Sequence, residues 1–513
     1  MHRFALAAAA CALAATSAAA VRYAGGANPG TLALVHATVI DGTGAPPRPN
    51  TTIVIRGDRI VRVADDGAAP VPAGSRVVDL RGRWVIPGLI DSHVHFGTIE
   101  RSAETTRGVL AATLMGGVTT VRDMGGALHV VQPLARASLD AETPSPRIYY
   151  SAIIAGPGGW FDGERGRRMA GDYAPGESPA VRRVGAGSDV RRVIADARAA
   201  GATGIKLYNT VPPALMAALA AEAHRQGLRV WSHLAVDPGR PGDVVRAGAD
   251  VVTHADQFAG EVMPEPSADT AVEARRLVRD SVLQAVPPDD ARLRELVALM
   301  RRRGTMLDAT LFVVAGAATD PAGRVNERYA RLYAFAAAMV GRAHAAGVPI
   351  AAGTDAVGGS TPNLHAELQL LGRAGLTPLQ ALRAATLNGA RARGAQDSLG
   401  TVAAGKLADL VVLAADPARD IRNTQTVVAV VKGGVMRERT APWRQGPHAS
   451  PAPAAAAAGT EPERRGARRT AAPAPRIDPS RGRRCPRGAP GRRRSRRRPC
   501  WACCSRPRRS GSA

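Results

Sequence analysis

Two histidines one residue apart close the segment VIPGLIDSHVHF at residues 85–96. Side chains on a β-strand alternate faces, so His93 and His95 point one way and Val94 the other. Two imidazoles on one face can grip one metal ion, although two exposed histidines on an edge strand would read the same. Other short apolar runs end in polar groups: Lys206 in GIKLY, His233 in VWSHLA, His254 in VVTHAD and Asp355 in AAGTDA. Four of the eleven histidines therefore fall at strand ends, with one lysine and one aspartate. Imidazole and carboxylate are good zinc ligands.

Lys206 is unusual in this chain, which has 65 Arg and three Lys (Lys206, Lys406 and Lys432). Arginine stays protonated, whereas a buried lysine can become a neutral amine. A neutral amine can capture carbon dioxide as a carbamate, whose two oxygens bridge two cations. Lys406 and Lys432 lie in outer strands, so retention of lysine alone proves nothing. The strand-end position is what favours a working role for Lys206.

These residues need a scaffold that gathers strand ends. Residues 31–88 read as short β-branched strands punctuated by DGTG and RGDR. From residue 89 onward, eight apolar runs alternate with helical stretches, among them 190–200, 213–226, 290–303 and 327–346. That alternation predicts an α/β fold, a (β/α)8 TIM barrel over residues 89–398. The working groups of such a barrel lie at the C-terminal ends of its strands. LGTVAAGKLADLVVLAADP and TVVAVVKGGVMRERT return to strand character. Residues 21–88 and 399–440 are thus expected to form one small composite β-sandwich from N- and C-terminal segments.

VIPGLIDSHVHF, GIKLY, WSHLA, VVTHAD, AGTDA and GKLADLVVL together resemble the amidohydrolase superfamily, in particular its imidazolonepropionase-like and Xaa-Pro dipeptidase-like branch. The resemblance spans roughly residues 31–440. It implies a metal-dependent hydrolase with two divalent metal ions, usually zinc. By that resemblance His93, His95 and Asp355 hold the buried metal, and His233 and His254 hold the outer one. A carboxylated Lys206 and a hydroxide bridge both, and Lys406 is structural. The implied chemistry is attack of hydroxide on a carbonyl, with Asp355 as the catalytic base and acid. The expected substrate is a small molecule or short peptide with a C–N bond, such as a dipeptide or N-acyl amino acid. A one-metal deaminase, and a lactone or phosphoester hydrolase of the same superfamily, stand as alternatives.

Tyr208 follows Lys206 by two residues and faces the same side of its strand. Tyr150 and His365 are further candidates for substrate contact, although His365 and Glu367 in NLHAELQLL also fit a helix surface or packing face. AGPGGWFDG at 155–163 lacks the lysine and serine of a phosphate-binding loop and reads as a lid carrying Trp160 and Phe161, or as a plain surface loop.

The formal net charge of +25 raises a competing class, a nucleic-acid-binding protein. Its distribution argues otherwise. Residues 441–513 hold 19 Arg against three acids, which leaves 49 basic and 40 acidic groups in the first 440 residues. Basicity is concentrated in an Arg/Pro/Ala-rich tail without apolar periodicity, expected to be disordered. Any nucleic-acid binding is therefore expected from the tail, not the folded body. Its C-x-x-C at 500–503 has no strand or helix pattern around it. Residues 1–20, MHRFALAAAACALAATSAAA, read as a signal peptide, with a basic start, an apolar run and small residues at its end. A lipoprotein site at Cys11 is the lesser alternative. The expected location is periplasmic or secreted, and no segment is long and apolar enough to span a bilayer. No cysteine falls between residues 12 and 484, so the body contains no thiol chemistry. A homo-oligomer is compatible with this reading.

Overall fold

A computed structural model describes residues 30–98, 102–158, 161, 163–263, 286–319, 324–357 and 363–439. The expected signal peptide, Trp160 and the 441–513 tail with its C-x-x-C lie outside the described residues.

The β-branched runs at the start form a sheet. β1 (Thr31–Val39), β2 (Arg48–Arg56) and β3 (Arg59–Asp65) pair in antiparallel order, and β4 (Arg76–Asp79) and β5 (Trp84–Pro87) lie parallel to β1.

The barrel follows. β6 (Leu89–Val94), β7 (Val118–Asp123) and β8 (Arg147–Ala155) are parallel neighbours. The short β9 (Glu177–Ser178) and β10 (Val181–Arg183) add to the end of β8. The parallel run continues through β11 (Gly204–Leu207), β12 (Arg229–His233), β13 (Val251–Thr253), β14 (Met306–Asp308) and β15 (Ile350–Ala351). A parallel bridge between Val94 and Ala356 joins the last turn of this run to β6. The eight strands β6–β8 and β11–β15 thus form a nearly closed parallel barrel. Parallel strands covered on both faces have near-continuous apolar sequences, and β6 and β7 are buried at every position.

The four helices expected from sequence occupy Val190–Ala199, Pro213–Arg225, Ala291–Arg303 and Glu327–Ala345. Their ends follow ordinary capping chemistry. Asp189, for example, accepts from the Arg192 backbone N–H, so that Val193, Ile194 and Ala197 turn inward.

β16 (Leu410–Leu413), β17 (Val427–Lys432) and β18 (Val435–Glu438) return to the first sheet, with β16 pairing antiparallel to β5. The N- and C-terminal segments do combine, as expected. Where two facing sheets were expected, hydrogen bonding links them in one sheet of eight strands. The sheet curls until Arg59 bridges Leu407, around Leu34, Ile53, Ile55, Val412 and Val431. Two buried cations tie it to the barrel. Arg147 makes two contacts to Asp409, at 2.8 and 3.3 Å, and Lys432 donates to the carbonyls of Asp140 and Thr143. Lys406 donates to the Gln396 carbonyl, a structural role.

Candidate metal centre

The strand ends converge. His93 from β6, His95 directly after it, Lys206 from β11, His233 from β12, and His254 and Asp355 just beyond β13 and β15 line one cavity of about 370 Å³. Tyr208 lines it too. Ligand atoms of His93, His95 and Asp355 all lie within 4.8 Å of one another. Asp355 Oδ1 is 3.4 Å from His93 Nε2 and 3.0 Å from His95 Nε2. The His233 and His254 rings meet edge to face, 4.7 Å apart, and His254 lies 5.0 Å from His93. His254, Thr310 and Asp355 all have positive φ, at 74°, 49° and 55°. Non-glycine residues in that region carry strain that clusters at functional sites.

The His93 and His95 rings are each held by the nitrogen that faces away from Asp355. His93 Nδ1 meets Asp308 Oδ2 at 3.0 Å, and His95 Nδ1 meets the Gly125 carbonyl at 3.2 Å. Metal-ligating histidines are oriented in this way, by a carboxylate or carbonyl on the second nitrogen. Asp308 in turn accepts from Arg122 at 2.9 Å, and Arg122 lies 4.5 Å above the buried Trp231 ring. Asp91 fixes the strand ends to each other by accepting from the Thr354 hydroxyl at 2.8 Å and from its backbone N–H at 3.1 Å. Sequence reading gave Asp308 no role. The signal was present, because Asp308 ends the run TMLD as Asp355 ends AAGTD, but nothing in the run marked which neighbour it would meet.

Electrostatics fit a cation. Burial drives His93 well below the usual imidazole range and His254 to about 3, so both rings are neutral lone-pair donors at pH 7. Burial pushes the Asp355 carboxyl up, but facing His93, His95 and His254 more than offset it and hold Asp355 well below the usual carboxylate range. Neutral rings lend Asp355 little charge. Burial of the rings is the stronger effect, so a positive ion among these lone pairs is the arrangement that suits both. Lys206 is fully buried, and burial lowers its amine to about 7, against the pull of Asp308 and Asp355. Its Nζ donates to Thr253 Oγ1 at 2.8 Å.

Two residues expected at the substrate lie elsewhere. The Tyr150 side chain packs outside the barrel on Val131, Ala197 and Ala202, with its hydroxyl donating to the Ala200 carbonyl. It sits mid-strand, on the face turned away from the cavity. His365 is buried on helix Asn363–Arg373, between Thr424 Oγ1 at 3.0 Å and the Gly116 carbonyl at 2.9 Å. Both of its nitrogens are engaged in packing that helix. Phe161 is likewise buried, against Ile153, Met169 and Val181, with Arg183 over its ring. It forms no cap over the cavity.

Glu367, on the same helix as His365, has a different part. It is fully buried and accepts from the backbone N–H groups of Leu311 at 3.2 Å and Phe312 at 2.6 Å. These follow Thr310, whose hydroxyl meets His254 Nδ1 at 3.0 Å. Burial pushes the Glu367 carboxyl well up. The folded state therefore keeps a proton that the unfolded state releases, and this contribution to stability is lost as pH rises through the folded value. Melting curves from pH 5 to 8 should show the wild type losing stability relative to Glu367→Gln as pH rises. Parallel curves would refute the assignment.

Gly353 is required by closeness, since an added Cβ would fall 2.1 Å from Asp308 Oδ1 and 2.7 Å from His93 Cβ. Gly353→Ala is expected to cost about 1–3 kcal/mol in urea unfolding, the usual penalty for overpacking. Unchanged stability would mean that Asp308 and His93 can move apart freely.

Comparison with known proteins agrees with this geometry. The chain is 25% identical to an imidazolonepropionase of Geobacillus kaustophilus over 386 residues, which covers 71% of this chain and 82% of that protein. It is 28% identical to an ochratoxinase of Aspergillus niger over 450 residues, covering 77% and 84%. The fold matches a crystal structure of a Xaa-Pro dipeptidase with bound methionine at a TM-score of 0.62 and 23% identity, covering 80% of this chain and all of that one. Residues 84–437, from β5 to β18, match the amidohydrolase family model, and with strand-end histidines, lysine and aspartate converging inside those bounds, the chain belongs to the amidohydrolase family.

Proposed function

We propose that this amidohydrolase is binuclear and hydrolyses the C–N bond of a small amide such as a dipeptide or an N-acyl amino acid. The observation that carries the reading is the convergence of four histidines, a buried lysine and an aspartate on one cavity. In this reading His93, His95 and Asp355 hold the inner cation, and His233 and His254 the outer one. Lys206, carboxylated at Nζ, would supply ligand oxygens to both. Divalent cations, zinc being the best suited to imidazole and carboxylate, supply Lewis acidity and acidify water.

The chain's own groups do the rest. Asp355 accepts the proton of the attacking water on its carboxylate and delivers it to the departing nitrogen. The Tyr208 hydroxyl is a donor for the carbonyl oxygen as charge develops there, and its ring is positioned 4.3 Å from that of His233. Val313, Val314 and Leu332 give the cavity an apolar wall on one side. The relatives named as an imidazolonepropionase and an ochratoxinase support a hydrolase acting on small molecules.

The test is product mass. Metal-loaded protein is incubated with a library of dipeptides, N-acyl amino acids, cyclic ureas, lactones and phosphoesters. Amine and acid products that sum to substrate plus water, absent with Asp355→Asn, are expected. Ammonia released with the ring retained would replace this reading with a deaminase. Turnover confined to lactones or phosphoesters would keep the metal site and overturn the amide.

A further inference from the structure

One buried hydroxyl meets the nitrogen of Lys206. Lys206 lies on β11 and Thr253 on β13, with β12 between them, and both side chains are buried. Lys206 Nζ donates to Thr253 Oγ1 at 2.8 Å, and among the described residues it has no other hydrogen-bond partner. Thr253 Oγ1 in turn donates to the Ser232 carbonyl of β12 at 3.3 Å. A hydroxyl can both donate and accept. Here its hydrogen is committed to β12, so the lone pairs of the oxygen are what it offers to Lys206. The branched threonine side chain is also stiff about its first rotor, which holds that oxygen in place.

We propose that Thr253 is a positioning residue for the carboxylated lysine: its oxygen accepts the single N–H that Lys206 keeps after carboxylation, and so lowers the bicarbonate concentration needed to form the carbamate. This inference rests on the carboxylated Lys206 of the reading above. In the carboxylation step the Nζ lone pair attacks the carbon of carbon dioxide. An N–C bond forms, one C=O electron pair moves onto oxygen, and an N–H proton leaves to water. One N–H remains. A carbamate, like a peptide bond, is planar through its N–C link, so the N–H and both oxygens share one plane. Holding the N–H on Thr253 therefore holds both oxygens with a single hydrogen bond.

The experiment reloads metal-stripped protein with zinc in graded isotope-labelled bicarbonate and reads the carbamate carbon by NMR, with Lys206→Ala as the blank. Bound zinc is counted in the same samples. Thr253→Val keeps the branched shape and removes the oxygen. It should need about tenfold more bicarbonate than wild type for half-maximal carbamate signal, the lower end of the losses seen when a partner that orients a metal ligand is removed. Its bound zinc should recover along the same bicarbonate curve. Thr253→Ser, which keeps the hydroxyl, should stay near wild type. A packing defect would instead lower zinc binding at every bicarbonate concentration, and that result overturns the inference. So does a Thr253→Val curve that superimposes on the wild type. A wild-type protein with no carbamate signal at any bicarbonate concentration removes the carboxylated lysine itself, and the inference falls with it.

Discussion

Replacing Lys206 by alanine should lower the bound metal from about two ions per chain towards one and cut turnover by more than a hundredfold. The scale follows from the 10- to 100-fold losses typical when a residue that merely orients a metal ligand is removed; a group lying between two cations matters more. The fold should survive. Lys206 is buried, and its hydrogen bond goes to Thr253, so truncation removes a costly buried amine along with its contact. Lys206→Arg separates two explanations. It keeps a positive charge but cannot form a carbamate, because guanidinium stays protonated. If charge were the need, arginine would rescue; if the carbamate is, both variants fail alike. Metal content by mass spectrometry and steady-state rates decide the matter. Near-normal turnover with two metals in Lys206→Ala would end the carbamate proposal.

Asp355→Asn should be the second large loss, about a hundredfold to ten-thousandfold in kcat, the range for removing a positioned general base. The substitution is conservative in shape, and asparagine tolerates the positive φ of 55° at this position. What it removes is an ionisable oxygen that also faces His93 and His95. With the His93 and His254 rings neutral, a bound cation would be what keeps the base form of Asp355 into acid. The wild-type pH profile should therefore keep its activity at mildly acidic pH unless another group titrates there. A variant whose kcat stays within tenfold of wild type would remove Asp355 from the proton transfers.

Much of this site could be read in the sequence because strand ends carry their own signature. An apolar run that stops at a polar residue marks the barrel mouth, and H-x-H fixes the face by alternation alone. The four helices at Val190–Ala199, Pro213–Arg225, Ala291–Arg303 and Glu327–Ala345 were legible for a similar reason, since their apolar spacing is local. What failed was anything that depends on a distant partner. Tyr150 lies on a barrel strand, yet nothing local says that Val131 and Ala197 wait on its side. His365 satisfies Gly116 and Thr424, 249 and 59 residues away. Asp308 meets His93 across 215 residues, and sequence order carries no trace of that meeting. The curl of the composite sheet was hidden likewise, because the Arg59–Leu407 bridge depends on how the two ends of the chain find each other.

The join between β6 and the turn after β15 has a consequence for how the molecule comes into being. Asp91 and Thr354 are 263 residues apart, and the His93, His95 and Asp355 cluster straddles that same junction. A chain still emerging from the ribosome owns the two histidines long before it owns the aspartate. It can chelate only weakly until the ring is finished. If the proposed cation binds there, it would act as a clasp that fastens last, after the first strand and the final one have found each other. A cation held there would oppose reopening of this junction, so metal removal should loosen the protein first along that seam.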